Sequence, residues 1–64
     1  MSSYQKGVRV RIIAGWFKGL VGTIADRRKN QEMAIWGFGD EIYIKLDGRP
    51  WRYIFYPKDI EIIK

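Results

Sequence analysis

The spacing of glycines between residues 7 and 24, GVRVRIIAGWFKGLVGTI, is the feature that most limits how this chain can fold. Apolar and charged residues first alternate with a period of two, as in a strand with one buried face. Gly15 and Gly19 then bracket a stretch without alternation, and glycine accepts positive φ where other residues clash. Gly22 lies inside the next apolar stretch, where glycine often marks a bulge or a close backbone approach. We therefore expect two strands joined by a loop, with a sharp bend.

This segment resembles the KOW motif in the spacing of its glycines and apolar residues. The matching residues are Gly7, Val10, Ile12, Gly15, Phe17, Gly19, Gly22 and Ile24. KOW segments occur in ribosomal proteins and in elongation factors of the NusG and Spt5 type, where they open a small SH3-like barrel. The resemblance implies RNA, ribosomal proteins or RNA polymerase as partners, bound through the loop from Gly15 to Gly19. In its order of segments the chain also resembles PsaE, an SH3-like accessory subunit of photosystem I that docks on other proteins.

Three more strands are expected beyond the bent pair. Apolar and polar residues alternate in EIYIKL, and Asp47-Gly48 after it favours a tight reversal. Pro57 has no amide proton for a sheet ladder, so it ends the aromatic fourth strand. The resemblance to SH3-like barrels implies a 3₁₀ turn there. The expected strands are Val8–Ala14, Leu20–Asp26, Glu41–Leu46, Trp51–Tyr56 and Ile60–Ile63.

The length of 64 residues indicates one domain. We expect a flexible lead-in at residues 1–6 and one all-β domain at 7–64, a small five-stranded antiparallel SH3-like barrel. An OB-fold is the alternative, although that fold usually has a longer chain and a helix between its third and fourth strands.

The span from residue 27 to residue 40 is longer than a minimal barrel needs. Arg27–Glu32 is polar and basic, so we expect a hairpin tip or an exposed loop, either solvated or contacting phosphates. Met33–Trp36 is apolar and predicts a brief extra strand or a flap over the barrel. Gly37–Asp40 is a turn by composition. Trp36 and Phe38 are interpreted either as caps on an open end of the barrel or as binding residues.

The composition argues against catalysis. The chain has no histidine and no cysteine, so the commonest general base and the soft nucleophile are missing, as are the usual zinc ligands. Asp40 and Glu41 are adjacent and point to opposite faces of a strand. Asp59 and Glu61 share a face and could hold a hard cation weakly, but a solvated edge is the favoured interpretation. We expect no enzyme activity, no cofactor and no metal.

A net charge of +5 favours an anionic partner, although it also serves solubility. The leading hypothesis is a non-enzymatic module that binds RNA, or a nucleic-acid machine such as the ribosome or RNA polymerase. Basic side chains would contact phosphates while exposed aromatic rings stack on bases. The candidate binding residues are Arg9, Arg11, Trp16, Lys18, Arg27, Arg28, Lys29, Trp36, Phe38, Tyr43 and Lys45.

The strand pattern also predicts how these side chains are oriented. Arg9, Arg11, Tyr43 and Lys45 are expected on the outer face of the sheet. The alternation leaves open which face of the fourth strand is buried. The resemblance to the KOW motif implies that Phe17 packs into the core, and Trp16 beside it is expected to be exposed. Trp51 and Tyr53 are also expected in the core.

The rival hypothesis is a protein-docking adaptor that binds an acidic protein surface. It could be a photosystem-like subunit or a small phage-type protein that binds a host factor, anchored by Trp36, Phe38 and Trp51. No apolar run approaches the ~18 residues of a membrane span, and residues 1–6 have no signal-peptide core, so a cytoplasmic location is expected. A monomer is the expected state, although exposed sheet edges leave others open.

Overall fold

The computed structural model describes residues 4–29, 31–36 and 39–63. Its strands are β1 (Arg9–Ile12), β2 (Val21–Lys29), β3 (Asp40–Leu46), β4 (Arg52–Phe55) and β5 (Ile60–Ile62). They form one five-stranded antiparallel sheet in the order β4-β3-β2-β1-β5. The predicted small all-β fold is confirmed. The sheet is not closed, because β4 and β5 lie at its edges, and this does not conflict with an SH3-like barrel.

The core consists of alternate residues of the strands, as the period of two predicts. The buried side chains are Val10, Ile12, Ile24, Ile42, Ile44, Leu46, Phe55 and Ile60. Burying one such aliphatic or aromatic side chain contributes about 1.5–3 kcal/mol. Tyr53 packs against this cluster and Phe55 belongs to it, whereas Arg52 and Ile54 are exposed. The inner face of β4 is therefore the aromatic one.

The glycines of the bent segment have the roles that their spacing predicts. Gly15 and Gly19 adopt φ of 82° and 95°. A Cβ placed on Gly22 would lie 2.6 Å from the carbonyl oxygen of Lys45 and 2.7 Å from Cγ2 of Ile44. Gly22 thus allows β2 and β3 to approach closely. The pairing register shifts three residues further along β2, at Ala25, because Ile24 pairs with Ile44 and Asp26 pairs with Tyr43.

Strand β2 extends further than predicted, so the interpretation of residues 27–29 as a loop was wrong. Arg27 pairs with Ile42, Arg28 with Glu41 and Lys29 with Asp40. Backbone hydrogen bonds hold this extension whatever the side chains are. It runs past the buried core, and its charged side chains remain partly or fully exposed.

Residues 33–36 were predicted to form an extra strand or a flap, and the extra strand was wrong. A one-turn helix, α1 (Gln31–Ala34), occupies this span and is followed by a turn at Ile35 and Trp36. Gln31, Glu32 and Ala34 favour helix, which outweighs the short apolar run. The expected turn at residues 37–40 lies partly outside the described residues. Phe38 lies wholly outside them. Asp40 belongs to β3.

The aromatic fourth strand begins one residue later than expected. Its pairing starts with Arg52 opposite Lys45, so Trp51 precedes the sheet. Trp51 is 69% exposed, and its predicted place in the core was wrong. Pro57–Asp59 forms the expected 3₁₀ turn. The other strand bounds are each within two residues of the prediction, apart from the extension of β2.

Candidate nucleic-acid interface

A row of polar side chains crosses the outer face of four strands. Arg9 on β1 lies opposite Thr23 on β2, which lies opposite Lys45 on β3, which lies opposite Arg52 on β4. Residues directly opposite in antiparallel strands share a face. The predicted outward orientation of Arg9 and Lys45 is therefore confirmed, and the row brings three cations into register.

Arg9 is held by an acid. Its Nη1 donates to Oδ1 of Asp47 at 2.8 Å and its Nη2 donates to Oδ2 at 2.6 Å, while Nη1 also donates to Oγ1 of Thr23 at 2.9 Å. These charge-assisted bonds stabilise both charged forms, so they raise the pKa of Arg9 and lower the pKa of Asp47. A lesser contribution to the lowered pKa of Asp47 comes from the charge of Lys45. Arg9 therefore has two acceptors within the protein, although the pair lies at the surface.

Arg11 has an acidic neighbour as well. It faces Glu61 across the β1–β5 pair, and its Nη1 donates to Oε1 of Glu61 at 3.0 Å. Both groups are half exposed, so this is a weak surface pair. Two of the cations expected to bind a ligand are thus opposed by carboxylates from distant parts of the sequence.

The basic run at the end of β2 lies at the other end of the sheet, where the chain enters α1. The guanidinium of Arg27 forms an ion pair with the carboxylate of Asp40, with an N–O distance of 3.5 Å, and both side chains are partly buried. The guanidinium of Arg28 lies 5.7 Å from the centre of the Tyr43 ring on the outer face. Such a contact is a cation–π interaction of modest strength at an exposed site. Trp36, which follows α1, also belongs to this end.

The glycine loop between β1 and β2 is anchored by Phe17. Its ring centre lies 4.8 Å from that of Tyr53 and 6.0 Å from that of Phe55, the second pair being edge-on. The predicted inward orientation of Phe17 is confirmed. Backbone bonds fix the rest of the loop: Gly19 donates to Ile12 at 2.8 Å, and the amide of residue 20 donates to Phe17 at 3.0 Å. The loop is a defined turn on a rigid anchor.

The neighbouring side chain points away from this anchor. Trp16 is 99% exposed, as predicted. Lys18 is exposed on the other side of Phe17, and its backbone amide donates to Gly15 at 3.2 Å. An indole and an ammonium group therefore flank the partly buried ring of Phe17 on a loop whose backbone is hydrogen-bonded.

The turn between β3 and β4 lies beside the glycine loop. The guanidinium of Arg49 lies 5.3 Å from the centre of the Phe17 ring. Nζ of Lys45 donates to the carbonyl oxygen of Arg49 at 3.0 Å, and the amide of Asp47 donates to Val21 at 3.0 Å. Trp51 follows this turn. These contacts place the exposed side chains of two connections at one end of the sheet.

We call this region the loop-end surface. It consists of Trp16, Lys18, Lys45, Arg49, Trp51 and Arg52. Its four cations form no ion pair within residues 4–29, 31–36 and 39–63. With two exposed indoles beside these charges, the surface can contact phosphates and stack on planar rings.

Only part of the predicted binding set lies on this surface. Trp16, Lys18 and Lys45 come together there, whereas residues 27–29 and Trp36 lie at the opposite end. Arg49, Trp51 and Arg52 were not among the predicted binding residues. The Asp47-Gly48 reversal was the signal that could have found them, because antiparallel pairing of β2 with β3 brings that turn next to the glycine loop.

Other kinds of site receive no support from the described part of the chain. No three Asp or Glu side chains gather there in a way that could hold a metal ion, and the described residues form no pocket. None of the described helices is long and apolar enough to span a membrane. Comparisons with protein-family models, with curated proteins and with solved structures found no match.

Proposed function

We propose that this protein is a non-enzymatic module that binds RNA, alone or within a ribonucleoprotein or RNA polymerase assembly in the cytoplasm. The observation that carries the proposal is the loop-end surface, where four cations without ion pairs among the described residues lie at the same end of the sheet as two exposed indoles. Phosphate contacts supply affinity regardless of sequence, and stacked bases add about 1–3 kcal/mol each. The KOW resemblance of the glycine loop favours the same partners and the same loop.

The ion pairs are the reason why the proposal favours some cations over others. Arg9 and Arg11 would have to leave Asp47 and Glu61 before they could contact phosphates. Lys18, Lys45, Arg49 and Arg52 can do so without breaking an ion pair within the described residues. The proposal therefore assigns phosphate binding to these four and gives Arg9 a supporting role.

Binding should weaken steeply as salt rises, because each neutralised phosphate releases condensed counterions. We expect the logarithm of the association constant to fall with the logarithm of salt concentration with a slope of about −3, since four cations each contribute about −0.7 to −0.9. Fluorescence anisotropy of a labelled RNA measures this slope directly. An affinity that does not change with salt would contradict the proposal.

A charge-matched pair of variants locates the site. The double variant Lys18→Gln with Lys45→Gln removes two charges from the loop-end surface. The double variant Arg28→Gln with Lys29→Gln removes two charges from the opposite end and therefore has the same net charge as the first variant. We expect the first to lower the magnitude of the salt slope by about 1.5 and the second to change it little. The reverse result would move the site to the end of β2.

A second candidate function, a protein-docking adaptor, is favoured by one observation. Ile35 and Trp36 are adjacent and are 82% and 69% exposed. Large aromatic residues are common anchors of protein interfaces. An acidic partner would also meet the cations at the end of β2. If this function holds, a partner protein captured from cell extract stays bound after nuclease treatment. The Trp36→Ala variant should fail to capture it, whereas the Trp16→Ala variant should still do so.

A further inference from the structure

We infer that the RNA is single-stranded where it crosses the loop-end surface, with unpaired bases stacked on Trp16 and Trp51. This inference rests on the proposed function and narrows its ligand. It starts from the exposure of the two indoles, 99% for Trp16 and 69% for Trp51. An indole has a large flat face, and a base offers a flat face of matching size only when it is not stacked inside a helix.

The first indole is held in place before any ligand arrives. Trp16 lies between Gly15, whose positive φ shapes the loop, and Phe17, which is packed against Tyr53. The backbone of the loop is hydrogen-bonded to the end of β1. Little backbone entropy remains to be lost on binding, so a stacked base keeps most of its interaction energy.

The second indole comes from an equally fixed turn. Trp51 follows Pro50, whose ring restricts the backbone. The turn before it is tied to β1 by the Arg9–Asp47 pair and to the glycine loop by Arg49 over Phe17. The two stacking platforms therefore belong to the same end of the sheet, with cations of the loop-end surface beside them.

A duplex could use only part of this surface. Its phosphates could contact the cations, but its bases are paired and stacked, and the deep, narrow major groove of A-form RNA is closed to side chains. The longest described helix, α1, has one turn and lies at the opposite end of the sheet. A single strand gains both phosphate and stacking contacts. One stacked base is enough for about a tenfold preference.

The test compares one labelled RNA in two forms. A fluorescein-labelled RNA of about 12 nucleotides of mixed sequence is measured by anisotropy alone and annealed to its complement, at the same salt. We expect the single strand to bind at least about tenfold more tightly. Trp16→Ala and Trp51→Ala should each reduce this preference. Trp36→Ala is the matched control, since it removes an exposed indole from the other end and should leave the preference unchanged.

The outcomes separate the inference from the proposed function. Equal affinity for both forms, with a steep salt dependence, would overturn the inference and keep RNA binding. If neither form bound, both the inference and the proposed function would be wrong.

Tryptophan fluorescence gives a second readout that does not depend on truncating an indole. In the Trp36→Phe variant all indole emission comes from Trp16 and Trp51. Saturating single strand should quench it, and duplex should not. Unchanged emission with bound single strand would overturn the inference.

Discussion

Arg9 on β1 and Asp47 in the turn after β3 form a two-point ion pair across β2, with N–O distances of 2.8 and 2.6 Å. The pair joins residues that are 38 positions apart in the chain. A ligand would have to break this pair before it could bind Arg9, and the pair restrains the turn that precedes Arg49 and Trp51. In the proposed function Arg9 is therefore a positioning residue for the loop-end surface.

The double variant Arg9→Gln with Asp47→Asn tests this role, because it removes the pair without changing the net charge. We expect weaker RNA binding, since the turn is less restrained, with an unchanged salt slope. If Arg9 contacted a phosphate, the magnitude of the slope would fall by about 0.7 to 0.9. Anisotropy titrations at several salt concentrations give both numbers, and a fall in the slope would return Arg9 to the ligand-binding set.

The same pair makes stability depend on pH. Arg9 lowers the pKa of Asp47 below its ordinary value of 3.8 in the folded chain. The stabilisation is therefore fully present above the unfolded-state pKa and is lost as pH falls through the lower, folded-state pKa. We expect wild type to exceed Asp47→Asn in melting temperature near pH 6, and the difference to shrink below pH ~4. A difference that stays constant through thermal melts in acid would show that the carboxylate charge is not involved.

Gly22→Ala should destabilise the sheet where β2 and β3 approach most closely. The new methyl group would lie 2.6 Å from a backbone oxygen of Lys45, which cannot rotate away. Overpacking of this kind costs about 1–3 kcal/mol. Urea unfolding followed by tryptophan fluorescence measures the loss, with Arg28→Ala on the exposed face of the same strand as the control. Equal stability of the two variants would mean that the strands separate there without cost.

The features that depend on local sequence pattern could be predicted. Alternation, aromatic composition and turn residues together located the five strands, and the glycine spacing predicted the positive φ of Gly15. The inward ring of Phe17 was implied by the resemblance to the KOW motif. The ion pairs of Arg9 and Arg11 could not be read from pattern, because their acids are 38 and 50 positions away. The extension of β2 through Lys29 was missed because backbone pairing there is independent of the charged side chains that suggested a loop.

Replacing Trp51 distinguishes the predicted core position of this indole from the exposed position before β4 that the structure shows. If Trp51 lay in the core, its replacement by alanine would lower the free energy of unfolding by about 3–5 kcal/mol. If it is exposed outside the sheet, the same replacement should lower it by no more than about 0.5 kcal/mol. The structure, with Trp51 69% exposed, predicts the small value. Urea unfolding of Trp51→Ala gives the cost, and Phe17→Ala serves as the comparison, because that ring packs against Tyr53 and Phe55. The RNA affinity of the same Trp51→Ala protein should fall about tenfold, since it loses one stacked base. If Trp51→Ala kept both its stability and its RNA affinity, Trp51 would not stack on a base. A large loss of stability would show that Trp51 belongs to the core.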